Sequence, residues 1–185
     1  EEGLKDLIII AIDHGEEERI IEYLPYYHPR FGKGKGVFYI QFMIEKLIPY
    51  INNHYRTLTD FDHTGIGGSS MGGLISLHAG LSNPRVFGKM MIFSPSLWIS
   101  RMIFNNIKKT KLHFESRIYL YAGGQESVEH LPNARQMETI IRNKMVKGHN
   151  IDFHFSVNEL GNHSEVHWRE EFPEAIKWLF FNKQS

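Results

Sequence analysis

A serine with glycine two residues away on either side, in Gly68-Ser69-Ser70-Met71-Gly72, fits the pattern G-x-S-x-G. That spacing serves a nucleophile held on a sharp turn where a strand gives way to a helix. The hydroxyl must project from the bend, and side chains two positions away would collide with the strand or the helix. Only Ser70 has glycine at both positions; centring the pattern on Ser69 would put Met71 where a glycine belongs. A helix that starts here leaves its first N–H groups without partners, and the N–H of Met71 is the expected donor to an oxyanion. A glycine-rich loop with serine as a helix cap is the competing, purely structural explanation.

A serine hydroxyl is inert at neutral pH unless a base takes its proton. The chain has eleven histidines, so position has to choose among them. In the order nucleophile, acid, base, the histidine follows the last strand. His163, in "LGNHSEVHW", stands there, between the strand pattern "IDFHFSVNE" and the final helix. His167 is the rival but falls inside the helical pattern, while His149 and His154 flank or occupy the strand and read as surface or packed residues. The acid should follow the preceding strand. "YLYAGGQES" delivers Glu126 three residues past Gly123, with Glu129 as the alternative. A carboxylate there would hold the imidazole in one tautomer and stabilise the imidazolium. Trp98, in "SPSLW", and Trp168 are candidates to wall a substrate pocket, and Arg19 and Tyr23 to orient a substrate. Packing is the competing reading for the tryptophans, and an ordinary surface position for Arg19.

Two further patterns carry less. In "HSEVH", His163 and His167 are four apart, but Glu165 is displaced by one position from H-E-x-x-H, so no metal site is expected. The run "GKGKG" at 32–36 has neither a strand directly before it nor Ser or Thr after its lysine, and it reads as a mobile basic surface loop. No organic cofactor is called for either.

These groups need a scaffold, and the chain supplies alternating strand and helix patterns. Leu7–Asp13 is a continuous apolar run expected to form a strand covered on both faces. Helical spacing runs from about Val37 to Tyr55, with a kink expected at Pro49. After the glycine-rich turn come a helix "LISLHAGLSNP", a strand "KMMIFSPS" and a strand "RIYLYAGG". A helix over 133–146, the strand "IDFHFSV" and a C-terminal helix "EEFPEAIKWLFF" follow. Alternation of this kind predicts parallel βαβ units, hence an α/β protein with its active groups at the carboxyl edge of the sheet.

Composition narrows the partners. The 185 residues predict one domain over 1–185, and Lys plus Arg equals Asp plus Glu at 21 each, so no charge excess draws nucleic acid or a membrane surface. There is no cysteine, which removes disulfides, thiolate metal sites and a thiol nucleophile and is compatible with any compartment. No apolar run approaches the roughly 20 residues that span a bilayer, and the opening "EEGLKD" lacks the features of a signal peptide.

"GGSSMGGLISLHAGLSNPRVFG", "FSPSLW", "YLYAGGQES" and "GNHSEVHWREEFPEAIKWLF" together resemble the putative-esterase family of α/β hydrolases, as do "AIDHGEEERIIEYLPYYHP" and "PYINNHYRTL". That family includes esterase D, feruloyl and acetyl esterases, and siderophore esterases of the enterochelin type. The resemblance runs from about Ile8 to Phe180. It implies an α/β-hydrolase fold, a mostly parallel sheet with helices on both faces. It also implies a small-molecule ester substrate, with Ser70 as nucleophile, His163 as base and Glu126 where many members carry Asp or Glu. The family has further strands ahead of the one expected at Leu7, including the one whose loop gives the second oxyanion N–H. The expectation is therefore a domain short of its N-terminal strands. A non-catalytic binding module that keeps the elbow as architecture is the alternative.

Overall fold

The structure is a computed structural model that describes residues 6–111 and 115–182. Residues 1–5, with most of "EEGLKD", lie outside the described residues, as do the last three residues of the expected domain. The first regular elements are a short helix α1 (Arg19–Tyr23) and a two-stranded antiparallel ribbon of β1 (Tyr27–His28) and β2 (Gly32–Lys33). The "GKGKG" run is therefore not a plain loop: its first two residues form β2 and its last opens a helix. The N–H of Gly34 donates to Tyr26 O and that of Gly36 to Leu24 O. A Cβ on Gly34 would lie 1.9 Å from the Leu24 carbonyl oxygen, so backbone passing over backbone accounts for the glycine.

The long helical stretch is α2 (Gly36–Phe42) and α3 (Ile48–His54), joined by a widened turn over Met43–Leu47. In that turn the N–H of Ile48 reaches back five residues to Met43 O. Pro49 has no N–H and its ring crowds the carbonyl four residues earlier, so the helix widens just before it.

The central sheet has four strands, all parallel: β3 (Gly65–Ser69), β4 (Lys89–Phe93), β5 (Ser116–Gly123) and β6 (Ile151–Asn158), in that order across the sheet. The crossovers are α4 (Met71–Ser82), α5 (Met102–Lys109) and α6 (His130–Val146), and α7 (Glu165–Ile176) follows β6. All eight residues of β5 are buried. Ile118 and Leu120 face a core with Met90, Ile92 and apolar residues of α4, α5 and α6. Tyr119 and Tyr121 face the other side, with Phe93, Ala175 of α7 and Leu179 just beyond it. Helices thus cover both faces, and register pairs Ser69 with Phe93, Phe93 with Tyr121 and Tyr121 with Ser156, which aligns the carboxyl ends along one edge.

One expected strand is not there. Residues 6–15 adopt no regular structure, and Ile9 is 61 % exposed rather than covered on both faces. A buried parallel strand is held by ladders to its neighbours, and no described strand pairs with this run. β3 is itself an edge of the sheet. Between the isoleucine run and β3 lies a cavity of about 640 Å³, lined by Ile8, Ile10 and Ile12 on one side and by Gly65 to Ser69 on the other. Among the described residues no helix is long and apolar enough to cross a membrane.

Candidate active site

β3 ends at Ser69 and α4 begins at Met71, so Ser70 alone makes the bend, at φ 58° and ψ −120°. A positive φ in a residue with a side chain costs about 1–3 kcal/mol and persists only where the surroundings enforce it. They do here. The N–H of Ser70 donates to Phe93 O at 3.0 Å, while Ser70 O accepts from the N–H groups of Leu74 and Ser96. A Cβ on Gly68 would lie 2.8 Å from the Gly72 carbonyl carbon, and one on Gly73 would lie 2.9 Å from Phe93 O. At Gly72 it would meet nothing within 4 Å. The steric need for glycine is thus at Gly68 and Gly73, not at Gly68 and Gly72, because the turn is so tight that Gly73 already lies against the neighbouring strand. Met71 buries its side chain, and its N–H stands at the first position of α4, where the helix offers no acceptor.

Glu126 and His163 are brought together by their own loops. The N–H of Gly124 donates to Asn158 O and that of Gln125 to Gly161 O, both at 2.8 Å, which ties the turn after β5 to the loop after β6. Across that tie, His163 Nδ1 lies 2.6 Å from Glu126 Oε2. Glu126 Oε1 accepts from the Ser94 hydroxyl at 2.5 Å and from the N–H of Gly123 at 2.7 Å. The Glu126 side chain is 2 % exposed, that of His163 42 %. Burial alone would push the Glu126 pKa up. The hydrogen bonds from His163, Ser94 and Gly123 outweigh it and hold the carboxyl below its ordinary value, so it stands ionised at neutral pH.

Ser94 was not among the sequence candidates. It is fully buried, sits at φ 42° directly after β4, and accepts from Trp168 Nε1 at 2.9 Å while donating to Glu126. Trp168 in turn stands edge-on to the His163 ring, 4.9 Å between centroids. The only sequence signal for Ser94 was its place at the carboxyl end of a strand. The Ser70 hydroxyl lies 3.3 Å from that of Ser96, which is also buried. Its described hydrogen bond is to Ser96 rather than to His163.

The remaining candidates fall at different places. Trp98 is 60 % exposed on the short turn that follows Ser96. Glu129 is exposed at the start of α6, while the carboxylate on His163 is that of Glu126, and His167 lies within α7 with Nδ1 3.5 Å from Glu170. Arg19 and Tyr23 line the cavity beside β3 together with Gly68, Ser69 and Gly72, and Tyr23 packs on the Tyr39 ring. Among the described residues no group of three or more His, Cys, Asp or Glu is placed to hold a metal ion.

A parallel sheet with a serine elbow after one strand and a carboxylate–imidazole couple beyond the later ones has the layout of an α/β-hydrolase fold. The family model described as "Putative esterase" matches residues 1–179, and the chain belongs to that family of carboxylic ester hydrolases. The uncharacterized protein YbbA of Bacillus subtilis (strain 168) is 27 % identical over 202 residues, covering 100 % of this chain and 78 % of YbbA. Among solved structures, the BES protein from Bacillus cereus superposes with a TM-score of 0.77 at 21 % identity, over 91 % of this chain and 65 % of that one. The enterobactin esterase FES from Shigella flexneri, in the presence of enterobactin, gives 0.67 at 22 % identity, over 77 % of this chain and 37 % of that one. At these identities the structural likeness is one of fold.

Proposed function

We propose that the chain hydrolyses small-molecule carboxylic esters through an acyl-enzyme on Ser70. The observation that carries this reading is the 2.6 Å Glu126–His163 contact on the same sheet edge as the strained Ser70 elbow. His163 keeps a proton on Nδ1, held by the ionised Glu126, which leaves Nε2 as the base. The Ser70 hydroxyl turns from Ser96 toward that nitrogen, gives up its proton and attacks the ester carbonyl. The oxyanion is received by the N–H of Met71 at the head of α4, and the imidazolium then protonates the departing alcohol. Water repeats the sequence on the acyl-enzyme. Neither metal nor organic cofactor has a step in this scheme. One oxyanion donor is assigned, and such a donor is worth about 10² to 10³ in rate.

Trp98, on the turn after Ser96, and Trp168, against His163, wall the alcohol or acyl side in this reading. Arg19 and Tyr23 reach the elbow from the cavity behind it. Siderophore lactones and carbohydrate-linked esters are the substrates to try first, a choice supported by the fold shared with an enterobactin esterase. We further propose a single domain whose sheet continues past β3, supported by that strand's free edge and the exposed isoleucines across the cavity.

A fluorophosphonate probe and p-nitrophenyl acetate test the reading. Ser70 is expected to be labelled, and Ser70→Ala to lose label and at least about 10³-fold in turnover. Equal turnover by the variant would end the proposal and leave the non-catalytic module as the better reading.

A further inference from the structure

The acid of this site faces a second imidazole that the mechanism above does not use. His130, the first residue of α6, is 7 % exposed, and its Nε2 lies 3.2 Å from Glu126 Oε2, the same oxygen that His163 Nδ1 contacts at 2.6 Å. The His130 and His163 rings stand 73° apart with centroids separated by 6.1 Å. Nε2 of His130 lies off the line of a well-formed hydrogen bond to Oε2, so it is a buried ring nitrogen without a satisfied partner. Such an atom calls for an explanation, because leaving it unpaired costs about 1–3 kcal/mol.

The carboxylate's own accounting supplies one. Oε1 is filled by the Ser94 hydroxyl and the Gly123 N–H. Only Oε2 remains for both rings, and it has two lone pairs, one for each. We infer that His130 is a positioning residue for ester hydrolysis, a neutral N–H donor to the second lone pair of Glu126 Oε2 that fixes the carboxylate toward His163. A small turn of the ring in the working enzyme completes the hydrogen bond. This role rests on the Ser70–His163–Glu126 reading.

The choice of imidazole follows from charge. A positive charge forms on His163 each time the serine gives up its proton, and a lysine or arginine on the same carboxylate would oppose it at about 6 Å. Burial pushes the His130 pKa down, against the pull of Glu126 and with the push of His163, the two titratable groups that face it from the loops after β5 and β6. A neutral donor therefore remains neutral at the pH where the base must work. It also makes Glu126 less basic, which keeps the shared proton on His163 Nδ1.

His130→Phe keeps a ring and removes the donor; His130→Gln keeps a neutral donor; His130→Leu replaces the phenylalanine variant if that ring does not fit. With p-nitrophenyl acetate, the donor-less variant is expected to lose about 10- to 100-fold in kcat at unchanged KM, the scale typical of partners that orient a catalytic ligand or base. His130→Gln should return to within about threefold of the parent, since the donor is what matters. In a Glu126→Ala background the His130→Phe change should cost nothing further. A donor-less variant with parental kcat, a glutamine variant no better than it, or an equal loss in the Glu126→Ala background would overturn the inference. A second readout needs no turnover. In the Ser70→Ala protein, the His163 Nδ1–H proton resonance should move from its parental position with His130→Phe and stay put with His130→Gln. An unmoved resonance with His130→Phe would sink the role of His130. Failure of the parent protein to be labelled at Ser70 would instead sink the mechanism on which it rests.

Discussion

Gly73 lies where the elbow's backbone comes closest to the neighbouring strand, and Gly72 beside it faces open space. The two therefore answer a methyl group differently. Gly73→Ala is expected to cost about 1–3 kcal/mol, the scale of an overpacked interior, and to weaken fluorophosphonate labelling of Ser70 because relief must come from moving Phe93 or the elbow. Gly72→Ala, at the second position of α4, should leave stability unchanged or raise it by up to about 1 kcal/mol, the helix preference of alanine over glycine. Denaturant midpoints of the two variants check this; equal losses would mean that the turn is set by the flanking pattern and not by the strand contact. At this scale the sequence exposes types and order: a serine in a glycine frame, a glutamate after the next-to-last strand, a histidine after the last. What it hides is Ser94 and His130. Ser94 meets Glu126 across the fold, with nothing near it in the chain to announce a carboxylate partner. His130 follows Glu126 by only four residues, but the start of α6 that brings its ring to that carboxylate is not marked in the sequence pattern. The glycine frame also misled by one position, since G-x-S-x-G describes spacing whereas the clash depends on how sharply the helix leaves.

Among the elements, those with a strong period were legible. The strands that became β4, β5 and β6 are short apolar runs ended by turn residues, and α4 closes at Asn83-Pro84 as the sequence suggests. Starts were less so: α6 begins at His130 rather than 133, because its first turn, His130-Leu131-Pro132, carries a proline that is tolerated only at a helix head. α5 was not anticipated, although Ile103, Phe104 and Ile107 give it a buried stripe. β5 hides a charge that no pattern reveals. Arg117, 6 % exposed, pairs with Asp152 of β6 and donates to the carbonyls of Leu179 and Asn182, with its guanidinium 4.4 Å from the Trp178 ring. It ties the end of the chain to the sheet face that carries α7. Arg117→Ala is expected to cost about 2–4 kcal/mol, because it strands a partly buried carboxylate and two carbonyls. Arg117→Lys should recover less than half of that loss, as one ammonium cannot serve three acceptors in a plane. Thermal unfolding measures both, and an alanine variant within about 0.5 kcal/mol of the parent would show the cluster to be solvated.

For the molecule as a whole, the two flanks of the sheet differ. On the β6 side the sheet also ends at an edge, but the strand there is eight residues long and α6 packs on it. On the β3 side the sheet stops at a five-residue strand of mostly glycine, and across the cavity Ile8, Ile9, Ile10 and Ile12 are each at least 36 % exposed. A run of that composition reads as a covered strand, and the reading failed because coverage is a property of neighbours and not of the run itself. Exposed apolar clusters and open strand edges bind other apolar matter. The chain in solution is therefore expected to enhance the fluorescence of anilinonaphthalene sulfonate while still folded, and to self-associate as concentration rises. Replacing Ile9 with lysine should suppress both without altering labelling of Ser70, since Ile9 is 61 % exposed and is not among the residues that line the cavity reaching the elbow. A chain that binds no dye and sediments as a monomer at every concentration would mean that the edge is satisfied within these residues. The proposal that the sheet continues past β3 would then fall, while the site at the carboxyl edge, built from β3 to β6 alone, would stand.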